Sequence, residues 1–323
     1  VADGRTSLPE SITRETILGH LGEGIARHAN GRGVTTAVPR QVLVRQDGDT
    51  DGIEVTYRPV VCFVARGTKT LRAGPHRAQV GPGEMFLGIL RLPATATFRA
   101  PYRSVMLDLD DGLVADMIAE VGPAPSVPPT TTPFTVTAMD DGLVDALGRW
   151  VGLLDEPRHI PVIAPRIEQE ILYRVLTGPI GAGLRAIVAG GTMAAVRAAA
   201  ELLTRDPFAP SSAQHLAVGI GVSPATFYRR FRELTGMSPQ RFHKEARLQL
   251  ARRLLVTGEH TASAAASAVG YVSVQQFSRD YRQRYGRPPA QDAVALRTGQ
   301  DSTPEPTQQP VPSTGSVLPH REQ

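Results

Sequence analysis

Cysteine is nearly absent from this chain: Cys62 stands alone among 323 residues. One thiol excludes an internal disulfide framework and suits a reducing compartment. Long apolar runs are missing as well. Nothing approaches the roughly 18 uninterrupted apolar residues that would span a bilayer. The opening Val1-Ala-Asp-Gly-Arg5 lacks the apolar core of an export signal. A cytoplasmic protein with no membrane partner is expected. Lysine occurs only at Lys69 and Lys244, so nearly all positive charge is arginine. Histidine is thin where metal chemistry would need it. Between Thr35 and Leu109 only His76 occurs, whereas a metal-dependent barrel enzyme needs two or three His with a carboxylate. His20 and His28 lie eight positions apart with no carboxylate completing a known ligand spacing. No catalytic residue, metal ligand or cofactor is expected.

The charge that is present is unevenly placed. The whole chain is +4, yet residues 192–297 carry 15 Lys+Arg against 7 Asp+Glu. A basic C-terminal part beside an acidic remainder points to an anionic partner for the former. The length allows two domains, each with its own core.

Within the basic part the chain repeats itself at a spacing of 50 residues. The first copy reads Gly221-Val-Ser-Pro-Ala-Thr-Phe227-Tyr-Arg229-Arg-Phe231, then Thr235-Gly236-Met-Ser-Pro239. The second reads Gly270-Tyr-Val-Ser-Val-Gln-Gln-Phe277-Ser-Arg279-Asp-Tyr281, then Tyr285-Gly286-Arg-Pro-Pro289. Each copy has the grammar of a helix-turn-helix. A small-residue helix (Ala213 to Ile220; Ala262 to Val269) stops at glycine, and Ser223 or Ser273 can cap the next helix. Aromatics four apart share one face and can bury against the first helix.

The remaining positions face outward. Ala225, Tyr228, Arg229, Gln275, Gln276, Ser278 and Arg279 are candidates for base contacts. Ser223, Arg230, Arg232, Ser273 and Arg282 are candidates for the phosphate backbone. Arginine can pair with guanine and glutamine with adenine in the major groove. Between the copies, Pro239 to Leu255 reads as one helix, with Phe242, Ala246, Leu250 and Leu254 at four-residue steps and Gly258 past its end. Such a rod can hold two reading helices about one DNA turn apart, roughly 34 Å.

On these residues the stretch from about 192 to 297 resembles the DNA-binding domain of AraC/XylS-type bacterial transcription regulators. The matching pieces include Phe231-Arg-Glu-Leu-Thr-Gly-Met-Ser-Pro, Arg247-Leu-Gln-Leu-Ala-Arg-Arg-Leu-Leu, Ala266-Ser-Ala-Val-Gly-Tyr and Gln276-Phe-Ser-Arg. The sequence departs from the family at two places. Gly219 stands where a good helix former is usual, a cost on the order of 1 kcal/mol. Val274 occupies an outward position where the family often places a polar base reader.

From Thr35 to Leu109 the punctuation is that of strands: Gln41–Arg45, Gly52–Tyr57, Val60–Ala65, Thr68–Leu71, Arg77–Val80, Met85–Leu90, Thr95–Arg99 and Ser104–Leu109. Eight strands separated by Gly, Pro and Asp turns suggest a double-sheet jelly roll or small barrel. Asp47, Asp49 and Asp51 lie near Gly52, but Arg58 stands where a calcium loop needs Glu, so the stretch reads as a hairpin turn. Helices are expected at Ser11–Asn30, Leu113–Glu120, Asp140–Leu154, Val162–Leu176 and Gly183–Ala189. Val121 to Pro133 is a Pro-rich connector and Gly190-Gly191 a hinge.

Val61-Cys-Phe-Val-Ala-Arg-Gly-Thr-Lys, Val80-Gly-Pro-Gly-Glu-Met and Pro165-Arg-Ile-Glu-Gln-Glu-Ile-Leu-Tyr-Arg are similar to the cupin-like N-terminal domain of one branch of the same regulators. That resemblance implies a signal-sensing domain for an unidentified small molecule, RNA polymerase as a partner, and either packing of Val162–Leu176 onto the barrel or its use in a homodimer. Cys62 reads first as a small buried hydrophobe. Its sharper reading is an electrophile or oxidant sensor, if Arg58 and Arg66 turn toward it.

The expected architecture is α+β. A cupin-like β-barrel or jelly roll with flanking helices occupies residues 1–189. An all-α domain of two helix-turn-helix motifs joined by a linker helix follows at 190–297, then a disordered tail at 298–323. The expected function is sequence-specific reading of double-stranded DNA in two adjacent major-groove segments. The alternatives are a barrel-domain enzyme with the helices as localiser, or a sequence-indifferent DNA-binding protein.

Overall fold

The computed structural model describes residues 14–122, 132–188, 192–217, 222–258 and 260–297. Ser11, most of the Pro-rich connector, the Gly190-Gly191 hinge, Gly219, Gly221 and the tail lie outside these residues. An N-terminal β-sheet domain is followed by an all-α domain. In chain order the first comprises α1 (Arg14–His28), β1 (Val34–Thr35), β2 (Gln41–Gln46), β3 (Thr50–Tyr57), β4 (Val60–Ala73), β5 (His76–Val80), β6 (Glu84–Gly88), β7 (Leu92–Asp108), α2 (Asp111–Val121), β8 (Phe134–Ala138), α3 (Asp141–Gly152), α4 (Ile160–Thr177) and α5 (Gly181–Val188). The second comprises α6 (Thr192–Arg205), α7 (Ala213–Ala217), α8 (Pro224–Thr235), α9 (Pro239–Val256), α10 (Ala262–Ala268), α11 (Val274–Tyr285) and α12 (Pro289–Arg297). No described helix is long and apolar enough to cross a membrane.

The sheet is built on two long antiparallel strands, β4 and β7, paired from Val60↔Asp108 to Arg72↔Thr95. The first half of β7 pairs β3 and the second half pairs β2. On its far edge β4 pairs β6 through Val60–Phe63 and β5 through Lys69–Ala73. The expected break at Gly67 is not a break. The register slips between Val64 and Thr68, and pairing then resumes. Val60–Ala65 and Thr68–Leu71 are thus one strand, and Thr95–Arg99 and Ser104–Leu109 another. A bulge absorbs the extra residue and bends the strand without ending the ladder. Gly67 is required there: its φ is +72°, and a Cβ would lie 2.5 Å from the Arg99 carbonyl oxygen. Two strands, β1 and β8, were not expected. Among the described residues no ladder joins β8 to β1, and the path ends at those two strands.

Helices cover the sheet because their apolar stripes find it. Leu21 and Ile25 of α1, and Leu143, Leu147 and Trp150 of α3, are buried in the same core as Val61, Phe63 and Val105. On the apolar stripe of α4, Ile167, Ile171, Leu172 and Val175 are buried, whereas Ile163 is exposed. Arg40 clamps this helix, giving Glu168 two hydrogen bonds of 2.6 and 2.7 Å. Burial in the sheet-domain core accounts for most of the α4 stripe within one chain.

Lys69 breaks the apolar pattern. It is 1% exposed, and its Nζ lies 4.6, 4.8 and 5.5 Å from the ring centroids of Tyr57, Phe86 and Phe98. None of the ion pairs among the described residues involves it. Ring quadrupoles return about 0.5–2 kcal/mol each, against a desolvation cost of several kcal/mol for a buried ion. Lys69→Met, similar in volume, is expected to raise stability by about 1–3 kcal/mol, read from the urea midpoint. A comparable loss would show that the three rings outweigh desolvation.

Candidate nucleic-acid interface

α8 and α11 are both delimited as their residue types require. The Ser223 hydroxyl accepts from the Thr226 N–H at 3.2 Å, and the Ser273 hydroxyl accepts from the Gln276 N–H at 3.2 Å. Each satisfies a donor that the helix itself cannot. At the other ends Gly236 and Gly286 adopt φ of 71° and 75°, and each donates its N–H back into the last turn at 2.8 Å. Both are left-handed glycine caps.

The inner faces are aromatic. Phe227, Phe231, Phe277 and Tyr281 are all fully buried, with centroids 5.6 Å apart in the first pair and 5.5 Å in the second. The helix period then turns the intervening residues outward. Ala225, Tyr228, Arg229 and Arg232 are exposed on α8, and Gln275, Gln276, Arg279 and Arg282 on α11. Ser273 and Ser278 are half-buried. The modules differ in how their arginines are held. Arg230 is half-buried and bonds Glu233 at 3.0 Å, and the Nε of Arg229 lies 4.0 Å from the same carboxylate. Arg232, Arg279 and Arg282 have no ion-pair partner among the described residues.

α9 joins the modules by contributing to two separate apolar cores. Phe242 meets Phe231 at 5.3 Å in the first core. Leu248, Ala251 and Leu255 belong to the second, with Ala265, Phe277 and Tyr281. A buried acid then fastens α12 to both neighbours. Asp292 accepts from Arg252 of α9 at 2.9 and 3.2 Å and from the Tyr281 hydroxyl of α11 at 2.7 Å. Burial disfavours the Arg252 cation, but the hydrogen bonds and charge of Asp292 outweigh it and the pKa rises.

Two family models fall on these parts. The model described as the AraC-type transcriptional regulator N-terminus matches residues 37–183, and a helix-turn-helix domain model matches residues 216–293. The chain belongs to the AraC/XylS-type helix-turn-helix transcription regulators. The HTH-type transcriptional regulator GbdR of Pseudomonas aeruginosa is 32% identical over 111 residues, which are 34% of this chain and 29% of that protein. A probable AraC family transcriptional regulator from Rhodopseudomonas palustris is 32% identical over 32% of this chain and 98% of that one, with a TM-score of 0.30. ToxT from Vibrio cholerae bound to (E)-4-(8-methylnaphthalen-1-yl)but-3-enoic acid covers 79% of this chain and 98% of its own at 9% identity, with a TM-score of 0.48. Among the described residues no three His, Cys, Asp or Glu gather as a metal site.

The regulator's helical part is docked on its sheet, a feature with no local signature. Glu54 of β3 accepts from Arg284 at 3.3 Å and from the Tyr285 hydroxyl at 3.1 Å, both on α11 and more than 200 positions away. Gln249 of α9 donates to the Ala94 carbonyl at 3.3 Å. At Gly236, which caps α8, a Cβ would stand 2.0 Å from Pro75 Cδ in the β4–β5 turn. Cys62 is fully buried, its Sγ 3.7 Å from the Tyr102 hydroxyl. Arg66 is exposed, and Arg58 is paired with Asp108 at 2.6 Å.

Two measurements test this scaffold. Asp292→Ala strands a buried cation and a buried hydroxyl, and is expected to cost about 3–5 kcal/mol in chemical denaturation. His243 of α9 is buried and its Nε2 donates to the Asp206 carbonyl at 3.1 Å. Burial, aided by nearby Arg247, holds its pKa below the ordinary 6.5. A lowered imidazole pKa contributes stability that is present above 6.5 and lost as pH falls through the folded value. The unfolding midpoint should therefore drop on acidification, and drop less in His243→Asn.

Proposed function

We propose that this regulator reads a specific double-stranded DNA site through two successive major-groove segments, under control of a small-molecule or chemical signal received by its sheet domain. The observation that carries the reading is the duplicated helix, capped by Ser, closed by left-handed Gly and buried through paired aromatics, with a polar outer face in both copies. Ala225, Tyr228 and Arg229 from α8, and Gln275, Gln276, Ser278 and Arg279 from α11, are proposed as base contacts. Ser223, Arg230, Arg232, Ser273 and Arg282 are proposed at the phosphates, where helix N-termini and arginines favour anions. At 1.5 Å per residue the 18-residue α9 spans about 27 Å. That length suits two modules spaced near one DNA turn, about 34 Å.

Residues 1–189 form the sensory unit in this proposal, and 190–297 the reader. The meeting of Lys69, Phe86 and Phe98 from both halves of the sheet supports a closed, cupin-like jelly roll. Full burial of Cys62, with Arg58 paired to Asp108 and Arg66 exposed, supports its packing role over sensing. A homodimer and RNA polymerase are proposed partners.

Selection of genomic fragments by the purified protein at physiological salt, followed by footprinting, tests the proposal. Protection across two adjacent major-groove segments is the expected result. No enrichment, either by the whole chain or by residues 190–297 alone, would defeat it. Arg279→Ala is expected to cost about 1–3 kcal/mol and to relax preference at one base pair. An equal loss on all sequences would make Arg279 a phosphate contact. A sequence-indifferent binder would instead hold promoter and random DNA alike, with affinity falling steeply in salt.

A further inference from the structure

At the start of α11 stand two exposed valines. Val272, in the turn, is 105% exposed, and Val274, the first residue of α11, is 39% exposed. Ser273, the cap, lies between them. The first module differs at both equivalent positions. Val222 is partly buried against the first core, and Pro224 takes the place of Val274. The duplication is therefore broken at the end of the reading helix that approaches base edges in helix-turn-helix docking.

On a surface otherwise made of Gln, Ser and Arg, an exposed apolar pair calls for an apolar partner. Base edges in the major groove offer one such group, the C5-methyl of thymine. Valine has neither donor nor acceptor. Placed against guanine, adenine or cytosine it would dehydrate a polar edge without replacing the lost hydrogen bond, which is costly. Against thymine it removes a methyl group from water, worth about 0.8 kcal/mol per buried carbon.

Resting on the DNA reading proposed above, we infer that Val272 and Val274 are specificity-determining residues that select thymine by its 5-methyl group in the segment read by α11. Gln275 and Gln276, next in the chain, reach neighbouring bases, and the exposed Arg279 and Arg282 hold the helix in the groove. The first module, lacking the pair, has no such preference at the equivalent place.

Single replacement of thymine by deoxyuridine removes the methyl and leaves base pairing and groove hydrogen bonds unchanged. With the best selected fragment, each thymine under the footprint is replaced in turn, and Kd is measured for the wild type and for V272A/V274A. The expected result is an affinity loss of about three- to tenfold at one or two thymines, confined to the α11 segment and absent in the double variant. Alanine is the better helix former at position 274, and Val272 stands fully exposed in the turn, so the variant's folding is not at risk. Unchanged binding to every deoxyuridine fragment, while Arg279→Ala still weakens the same site, would overturn the methyl-reading role and leave the DNA reading intact. It would assign the exposed valines to a protein partner. Absence of any selected site would remove the DNA reading and this inference together.

Discussion

One rod governs the geometry of the helical part. α9 is continuous from Pro239 to Val256, and its apolar residues are divided between two cores that share no buried residue. Phe242 is locked by the rings of the first module; Leu248, Ala251 and Leu255 are locked by the second. Because each core is close-packed, neither module can rotate on α9 without opening a cavity. The polar outer faces of α8 and α11 therefore keep a fixed relation to each other. The same helix also reaches the sheet through Gln249, and the first core runs on without interruption into that of the β-domain.

Buried polar groups occur where elements from different parts of the chain must be held together. Asp292 ties α12 to α9 and α11, and Glu168 ties α4 to the start of β2. Both acids have arginine partners with matched hydrogen bonds, as burial demands. Glu54 is a less comfortable case. Burial raises its pKa despite the attraction of Arg284 and Arg252, while Arg284 also serves Glu245 at 2.6 Å. This joint between α11 and the sheet is held by contested charges rather than by a saturated pair.

Much of the helical part was legible because its signals are local. A serine three residues before a free N–H, a glycine in the last turn and aromatics four apart each act within one turn of helix. Ser223 and Ser273 do cap their helices, and Gly236 and Gly286 are left-handed. The strands were less legible. Gly67 and the Ala100-Pro101 step read as terminators, yet a bulge carries both ladders past them. β8 was less legible although Phe134-Thr-Val-Thr-Ala138 alternates, because it is only five residues long and its partner, β6, lies some fifty residues earlier.

By itself the sequence determined the tandem helix-turn-helix: which residues cap, which are buried and which face outward follow from helical period and capping chemistry. It also marked Val274 as an oddity. Only tertiary structure decided that Val272 stands fully in solvent while Val222 is tucked against a core, and that Lys69 is enclosed by three rings. The same holds for Glu54 meeting Arg284 across 230 positions. Exposure and long-range pairing depend on what other segments bring to a place. That depends on the packing of the whole chain, which no local pattern encodes.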